Sequence, residues 1–172
     1  MSIKNVVGIT MGDPCGIGPE IILKALKSSY NNSLNEFVVI GSYYAIATVN
    51  QKLSINMPIK KINQFGEFDP EDTKMIQILD PENIDTTYIQ PGVLSKEAGK
   101  ACMEWVEIAA HLCIENKIQG MATAPVNKEA ASLAGYVQIG HMELLQSITN
   151  SPEVATMLIS KNLRVVHLTT HK

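Results

Sequence analysis

The fold is decided by residues 6–27, VVGITMGDPCGIGPEIILKALK, which carry three patterns in succession. The short apolar run from Val6 to Thr10 predicts a buried strand, and the Gly- and Pro-rich residues from Met11 to Pro19 predict a tight turn. From Glu20 to Lys27, apolar residues recur at helical spacing, so we expect a helix there. A buried strand that runs through a turn into a helix is the repeating unit of an α/β sheet.

The same alternation continues along the rest of the chain. Further strands are predicted at 37–41, 58–62, 75–79, 120–124, 154–159 and 163–170, and helices at 43–53, 95–116, 126–133 and 141–148. Segment 120–124 has the uniformly apolar character of a buried strand. Helix 95–116 has an apolar stripe that predicts core packing: Ala98, Ala101, Cys102, Trp105, Ile108, Ala109, Leu112 and Cys113. The alternation predicts a mainly parallel sheet with helices on both faces, a three-layer α/β architecture.

Composition excludes several classes of function. The net charge is −3, lysine and arginine do not cluster, and aromatic residues make up only 5%, so no nucleic-acid surface is expected. No run approaches the roughly 18 apolar residues of a membrane span, and the N-terminus lacks the long apolar region of a signal peptide. Three scattered cysteines are typical of reduced thiols. We therefore expect a cytoplasmic protein without membrane contact.

The glycine-rich turn is the first candidate site. Gly16 and Gly18 are predicted to allow positive φ and close backbone approach, and the free N–H groups at the following helix start could face an anion beside the carboxylate of Asp13. The turn is not a dinucleotide fingerprint, because Ile21 stands where a third glycine is needed, and it lacks the Gly-Lys-Ser/Thr ending of a phosphate loop. A purely structural turn is the alternative.

Two later motifs contain residues that could bind an anionic substrate. Lys128, in the segment TAPVNKE at 123–129, could serve a phosphate or a developing oxyanion, although a solvated surface lysine is the alternative. His141, in GHME at 140–143, could donate to an anion or exchange protons near neutral pH, although an isolated histidine is more often structural. Glu143 could cap the helix or orient His141.

The last motif is RVVHLTTH at 164–171, where strand period puts His167, Thr169 and His171 on one face. His171 lies at the predicted strand end, where sites of α/β sheets form, and a neutral imidazole is a common ligand for a divalent metal. No second histidine lies at a useful local spacing, so further ligands must come from far along the chain, from additional sequence or from another subunit. His167 is interpreted as a packed strand residue.

Taken in order, the segments GDPxGIGPE, TAPxNKE, GHxE and LRVVHxTTH resemble the 4-hydroxythreonine-4-phosphate dehydrogenase family, and they match its N-terminal half. The resemblance implies the isocitrate/isopropylmalate dehydrogenase-like fold, with residues 1–128 in a first α/β domain and 129–172 at the start of a second. It also implies a homodimer in the full-length protein. NAD (or NADP) and a divalent metal (zinc, magnesium or cobalt) held by three histidines are the implied cofactors.

Carried over by position, the resemblance makes His171 a metal ligand and His141 and Met142 substrate-binding residues, with Asp13, Gly16, Gly18 and Lys128 as further anion or substrate contacts. The implied reaction oxidises 4-hydroxythreonine 4-phosphate and then releases carbon dioxide to leave 3-amino-2-oxopropyl phosphate, for pyridoxal phosphate synthesis. Met142 departs from the threonine that the family usually has. A threonate or erythronate 4-phosphate dehydrogenase and a non-catalytic remnant therefore stay open as alternatives, and the chain alone is predicted to be inactive.

Overall fold

The computed structural model describes residues 5–29, 35–137 and 140–166. Short 3-10 turns at Phe65–Glu67 and Thr86–Tyr88 interrupt two of the connections. The strands and helices, in chain order, are β1 (Asn5–Thr10), α1 (Gly18–Ser29), β2 (Asn35–Ile40), α2 (Tyr43–Lys52), β3 (Ile59–Ile62), β4 (Ile76–Leu79), α3 (Lys96–Ile114), β5 (Gly120–Thr123), α4 (Lys128–Leu133), α5 (His141–Thr149), β6 (Met157–Ser160) and β7 (Leu163–Val166).

Strands β1 to β5 form one sheet in the order β3-β4-β2-β1-β5, and all four pairings are parallel. The mainly parallel α/β fold predicted from the sequence is thus confirmed. From β1 the chain moves through α1 to β2 on one side, whereas from β4 it returns through α3 to β5 on the other. Right-handed crossovers therefore put α1 and α2 on one face and α3 on the opposite face. The direction of winding changes between β1 and β5, where ligands bind in such sheets.

The core lies between the sheet and these helices. Val38, Val39 and Ile40 of β2 are fully buried, as the uniform apolar character of a central parallel strand predicts. Most of the predicted stripe of α3 is buried as well, and Ile108 and Cys113 pack partly exposed against the same cluster. Trp105 is fully buried and donates its indole N–H to Asn83 Oδ1 at 2.9 Å. The indole thereby fills the core without leaving its polar atom unpaired.

Strand β5 corrects the prediction of a buried strand at 120–124. Ala122 and Thr123 are exposed, and Gly120 and Met121 are only half-buried. Within the described residues β5 pairs with β1 alone and forms an edge of the sheet. An apolar run indicates that a strand can be buried, but a strand has neighbours on both sides only if the tertiary structure supplies them.

Strands β6 and β7 form a separate antiparallel hairpin, in register Met157↔Val166 to Ser160↔Leu163. All eight strand residues are exposed, including Leu158 and Ile159. The two strands predicted at 154–159 and 163–170 thus exist in part, but they are not members of the parallel sheet. The end of the second prediction, with His167 and Thr169, lies outside the described residues.

Helices α4 and α5 pack on the side of α3 that faces away from the central cluster. Ala131 of α4 and Leu144 of α5 form a small buried cluster with Met103 and Val106 of α3. Because α4 and α5 pack on α3, the chain after β5 runs alongside α3, and the positions of the first residues of α4 and α5 are fixed. Both helix starts therefore have a defined position relative to the sheet.

Two further observations concern the whole described chain. Cys15, Cys102 and Cys113 are all free thiols, and burial raises the pKa of Cys102 to about 12. No helix in residues 5–29, 35–137 or 140–166 is long and apolar enough to cross a membrane.

Candidate functional site

The loops that follow β1 and β5 are joined backbone to backbone where the sheet changes direction. The Ala124 N–H donates to the Thr10 carbonyl at 3.0 Å, which extends the strand ladder by one bond. The Asp13 N–H then donates to the Pro125 carbonyl at 2.9 Å. Two segments more than 110 residues apart in sequence therefore form one continuous wall at the carboxyl end of the sheet.

The residue that takes positive φ in this wall is Gly12, at +69°. A Cβ there would lie 2.3 Å from the Pro125 carbonyl oxygen, so both the conformation and the space require glycine. Neither Gly16 nor Gly18 uses the positive φ that glycine allows, because the chain already turns at Gly12 to meet Pro125. Close approach is confirmed at Gly18, where a Cβ would lie 2.0 Å from the Met11 carbonyl oxygen.

Asp13 holds the turn together with both its side chain and its backbone. Its Oδ1 accepts the Cys15 N–H at 2.9 Å, and its carbonyl accepts the Gly16 N–H at 3.1 Å. Burial raises the pKa of the Asp13 carboxyl, against the opposing effect of hydrogen bonds from the Cys15 N–H and the Asn127 side chain. The N–H of Gly16, predicted to face an anion, is already donated within the turn.

The turn is supported from outside by the loop that precedes α3. The Gly92 N–H donates to the Cys15 carbonyl at 2.8 Å, and the Cys15 thiol donates to the Tyr88 carbonyl at 3.3 Å. Burial is the main cause that raises the pKa of the Cys15 thiol. Because reactivity requires the thiolate, Cys15 is a structural residue that ties two loops together.

Asn127 begins α4 and places Lys128 at the first helical position. Its Oδ1 accepts the N–H groups of Glu129 and Ala130, each at 3.1 Å. Asparagine is among the best residues for this role because its short side chain reaches back to the unpaired N–H groups of the first turn. Lys128 itself is exposed, so its ammonium group is free to approach a ligand.

His141 is the first residue of α5, and its Nε2 is buried without a hydrogen-bond partner in the described part of the chain. Burial is the main cause that lowers the pKa of His141, and the positive charge of Lys128 lowers it further. The imidazole is therefore neutral at neutral pH. A buried polar atom without a partner costs free energy, and such atoms are typical of places where a ligand completes the bonding.

Glu143 lies close to the start of α5. A Cβ on Gly140 would lie 2.2 Å from Glu143 Oε2, so the carboxylate folds back toward the residue that precedes the helix. Within the described residues no side-chain hydrogen bond caps α5, and Gly140 has no side chain, so this is not a capping box. Met142, the other predicted substrate residue, is half-buried beside His141.

The described residues thus connect most of the predicted site through two links. The Asn127 side chain after β5 lowers the pKa of Asp13 after β1, and the positive charge of Lys128 lowers the pKa of His141 in α5. Asn127 has no predicted role, although an asparagine immediately before Lys-Glu at a helix start is a recognisable capping signal. His171 lies outside the described residues. Within those residues no group of three His, Cys, Asp or Glu side chains could hold a metal, so they do not form a metal centre by themselves.

Comparison with known proteins relates this chain to one family. Residues 33–172 match the family model described as pyridoxal phosphate biosynthetic protein PdxA. D-threonate 4-phosphate dehydrogenase of Salmonella typhimurium is 37% identical over 170 residues, which are 97% of this chain and 51% of the relative. 4-Hydroxythreonine-4-phosphate dehydrogenase of Trichlorobacter lovleyi is 35% identical over 172 residues, 98% of this chain and 50% of the relative.

A solved structure gives the same result for the fold. The crystal structure of a 4-hydroxythreonine-4-phosphate dehydrogenase from Burkholderia phymatum superposes with a TM-score of 0.88 at 35% identity, and it covers 99% of this chain and 51% of the solved one. The chain therefore spans about half the length of the curated relatives and solved structures that it matches.

Proposed function

This chain belongs to the PdxA family of pyridoxal phosphate biosynthetic proteins, and on that premise we propose that it forms part of a dehydrogenase for a small phosphorylated hydroxy acid. The reaction is the NAD-dependent (or NADP-dependent) and divalent-metal-dependent oxidation of 4-hydroxythreonine 4-phosphate. The β-keto acid formed then loses carbon dioxide and leaves 3-amino-2-oxopropyl phosphate. The whole protein works as a cytoplasmic homodimer.

The single observation that carries this proposal is the unpartnered Nε2 of His141. A neutral imidazole can donate a hydrogen bond to a substrate oxygen or accept one from a hydroxyl, and the tautomer decides which. The positive charge of Lys128 acts on the same ring and favours an anionic ligand there. A phosphorylated hydroxy acid offers both kinds of partner, a hydroxyl and an anionic group.

The wall around Gly12 and Asp13 supports the proposal in a different way. The Asp13 N–H joins the loops after β1 and β5, while the Asp13 carboxylate accepts the Cys15 N–H within the turn, so the wall fixes the loop that leads to Asn127 and Lys128. Direct anion or substrate contacts by Asp13, Gly16 and Gly18 remain part of the proposal. Gly18 is the stronger of the two glycines, because the Gly16 N–H is donated to Asp13.

The metal requires residues beyond those that the structure describes. No three-ligand group occurs in the described part of the chain, and the resemblance assigns one ligand, His171, to this sequence. One imidazole holds a divalent ion weakly in water, so we propose that the 172-residue chain is inactive by itself. No catalytic step is assigned to the described residues through the metal.

D-threonate 4-phosphate is the second candidate substrate, and one observation favours it. Relatives such as that of Salmonella typhimurium are named for this substrate. Met142, which has no hydroxyl to bind a substrate oxygen where the family usually has threonine, leaves the choice of substrate open. The two substrates differ at the carbon next to the carboxylate, which bears an amino group in one and a hydroxyl in the other. An erythronate 4-phosphate dehydrogenase and a non-catalytic remnant are the remaining alternatives.

The test measures NADH or NADPH formation with each substrate and a divalent metal, for this chain and for the longest natural reading frame that contains it. We expect turnover only in the longer protein and a fall in kcat/KM of about 10- to 100-fold in His141→Ala, since a hydrogen bond to a charged or reacting group is lost. The matched control is His111→Ala, because His111 is an exposed histidine of α3 that takes no part in the site.

Three outcomes would contradict parts of the proposal. Turnover by the 172-residue chain would overturn its predicted inactivity. Equal losses in His141→Ala and His111→Ala would remove His141 from the site. No turnover by the longer protein with any of the phosphorylated acids would favour the non-catalytic remnant.

A further inference from the structure

Asn127 lies after β5, in one half of the wall, and caps the helix from which Lys128 extends. Its Oδ1 caps α4 through the N–H groups of Glu129 and Ala130, each at 3.1 Å. The Asn127 side chain also lies near enough to the Asp13 carboxyl to lower its pKa, across the line where the sheet changes direction. Asn127 is half-buried and none of the proposed ligand contacts is assigned to it.

We propose that Asn127 is a positioning residue, which holds the first turn of α4 in place and thereby keeps the Lys128 ammonium group beside His141. Lys128 is exposed and has a long flexible side chain, so its approach to the ring depends on the backbone from which it extends. α4 has only six residues, and a helix this short depends strongly on its cap. If the cap is removed, the first turn frays and the charge moves away from His141.

The chemistry of the amide explains why asparagine suits this place. Its oxygen accepts the two N–H groups of the helix, while its nitrogen can donate to the carboxyl of Asp13. Aspartate would cap α4 equally well, but it would set a second carboxylate against Asp13 and repel it. Serine keeps the capping oxygen and lacks the amide donor, so it separates the capping role from the contact with Asp13.

The inference rests on the proposed function in one respect, because it takes His141 and Lys128 as ligand-binding groups. The test therefore uses two readouts that do not need turnover. The first is the dissociation constant of inorganic phosphate for this chain, and the second is the NMR signal and pKa of the His141 ring. Among the described residues, Lys128 on α4 acts on the His141 ring through its charge, and the Glu143 carboxylate on α5 lies near Gly140 at the same helix start.

The variants are Asn127→Ala, which removes the cap, and Asn127→Ser, which restores it. Ser42→Ala is the matched control, since Ser42 caps α2 through the Ala45 N–H and lies after β2 rather than at the wall. We expect Asn127→Ala to weaken phosphate binding about three- to tenfold, the loss of one charge-assisted contact. The His141 pKa should rise toward its ordinary value as the charge of Lys128 withdraws. Asn127→Ser should restore both quantities, and Ser42→Ala should leave both unchanged.

The inference is overturned if Asn127→Ala behaves like Ser42→Ala, or if Asn127→Ser is as impaired as Asn127→Ala. If the unsubstituted chain binds no phosphate, the ligand-binding part of the proposed function fails, and the His141 signal alone decides the role of Asn127. A signal that moves in Asn127→Ala and returns in Asn127→Ser still supports positioning, whereas a signal that does not move contradicts it.

Discussion

The parallel sheet of β1 to β5 and the hairpin of β6 and β7 both contain short apolar strands. The sheet is largely buried, whereas all strand residues of the hairpin are exposed. Ile78 in β4 is fully buried, whereas Ile159 in β6 is 65% exposed. Both lie in short apolar runs, and both runs are correctly predicted as strands. The difference is that helices cover both faces of the sheet, while in the described residues neither face of the hairpin is covered. An apolar run therefore predicts a strand more securely than it predicts burial.

The hairpin exposes apolar side chains on both of its faces. Leu158 and Val165 lie opposite each other on one face, and Met157 and Val166 lie opposite each other on the other face. Two-stranded hairpins are at best marginally stable in water without a third strand or a packed face. We therefore expect the sheet to contribute most of the free energy of unfolding. We expect the hairpin to act mainly as a surface through which two chains associate.

The largest expected effect compares the same substitution in the two regions. Ile78→Ala should lower the free energy of unfolding by about 2–5 kcal/mol, because it leaves a cavity in a close-packed core. Ile159→Ala should lower it by less than about 1 kcal/mol, because the side chain is already largely in water. Urea unfolding of the two variants measures both values. Similar losses would show that the hairpin is covered in solution and would break the comparison.

A second, smaller effect compares two glycines with positive φ, one in the wall after β1 and one in the loop after α4. Gly12 has φ of +69° and no room for a Cβ, whereas Gly135, just after α4, has φ of +95° and nothing within 4 Å of the added carbon. Both alanine variants should lose about 1 kcal/mol from the backbone conformation, and Gly12→Ala should lose about 2 kcal/mol more from the clash with Pro125. Thermal or urea unfolding gives the difference. Equal losses of unfolding free energy would mean that the loops after β1 and β5 move apart at little cost to make room for the added Cβ.

The smallest expected effect concerns association through the hairpin. Exposed strand edges and apolar faces pair readily with other chains, so the chain should self-associate at high concentration. Leu158→Glu should weaken this association about tenfold, by placing a charge in the contact. Tyr44→Glu, at an exposed position of α2, is the control and should have little effect. Sedimentation velocity across a concentration series provides the measurement, and a strictly monomeric unsubstituted chain would count against the idea.

The sequence predicted some residues of the candidate site and missed others. Lys128 and His141 stand in short motifs at helix starts, and the motifs alone singled them out as ligand-binding candidates. The part played by Asn127 was missed, because its contact with Asp13 joins positions that no local pattern relates. The freedom to take positive φ was noted for Gly16 and Gly18 rather than for Gly12, because the position of the sharp turn depends on where Pro125 lies. His171 stays a prediction, since it lies outside the described residues.

The sequence by itself determined the elements and their alternation, because helical and strand periods are local properties of a few neighbouring residues. It also determined the helix start at His141, which the preceding glycine marks locally, whereas α4 begins at Lys128, two residues later than predicted. Only the tertiary structure decided that the loops after β1 and β5 join and that, among the described residues, β5 is an edge strand and His141 Nε2 is buried without a partner. Each of these depends on which distant segments meet, and that follows from the packing of the whole sheet rather than from any single stretch of chain.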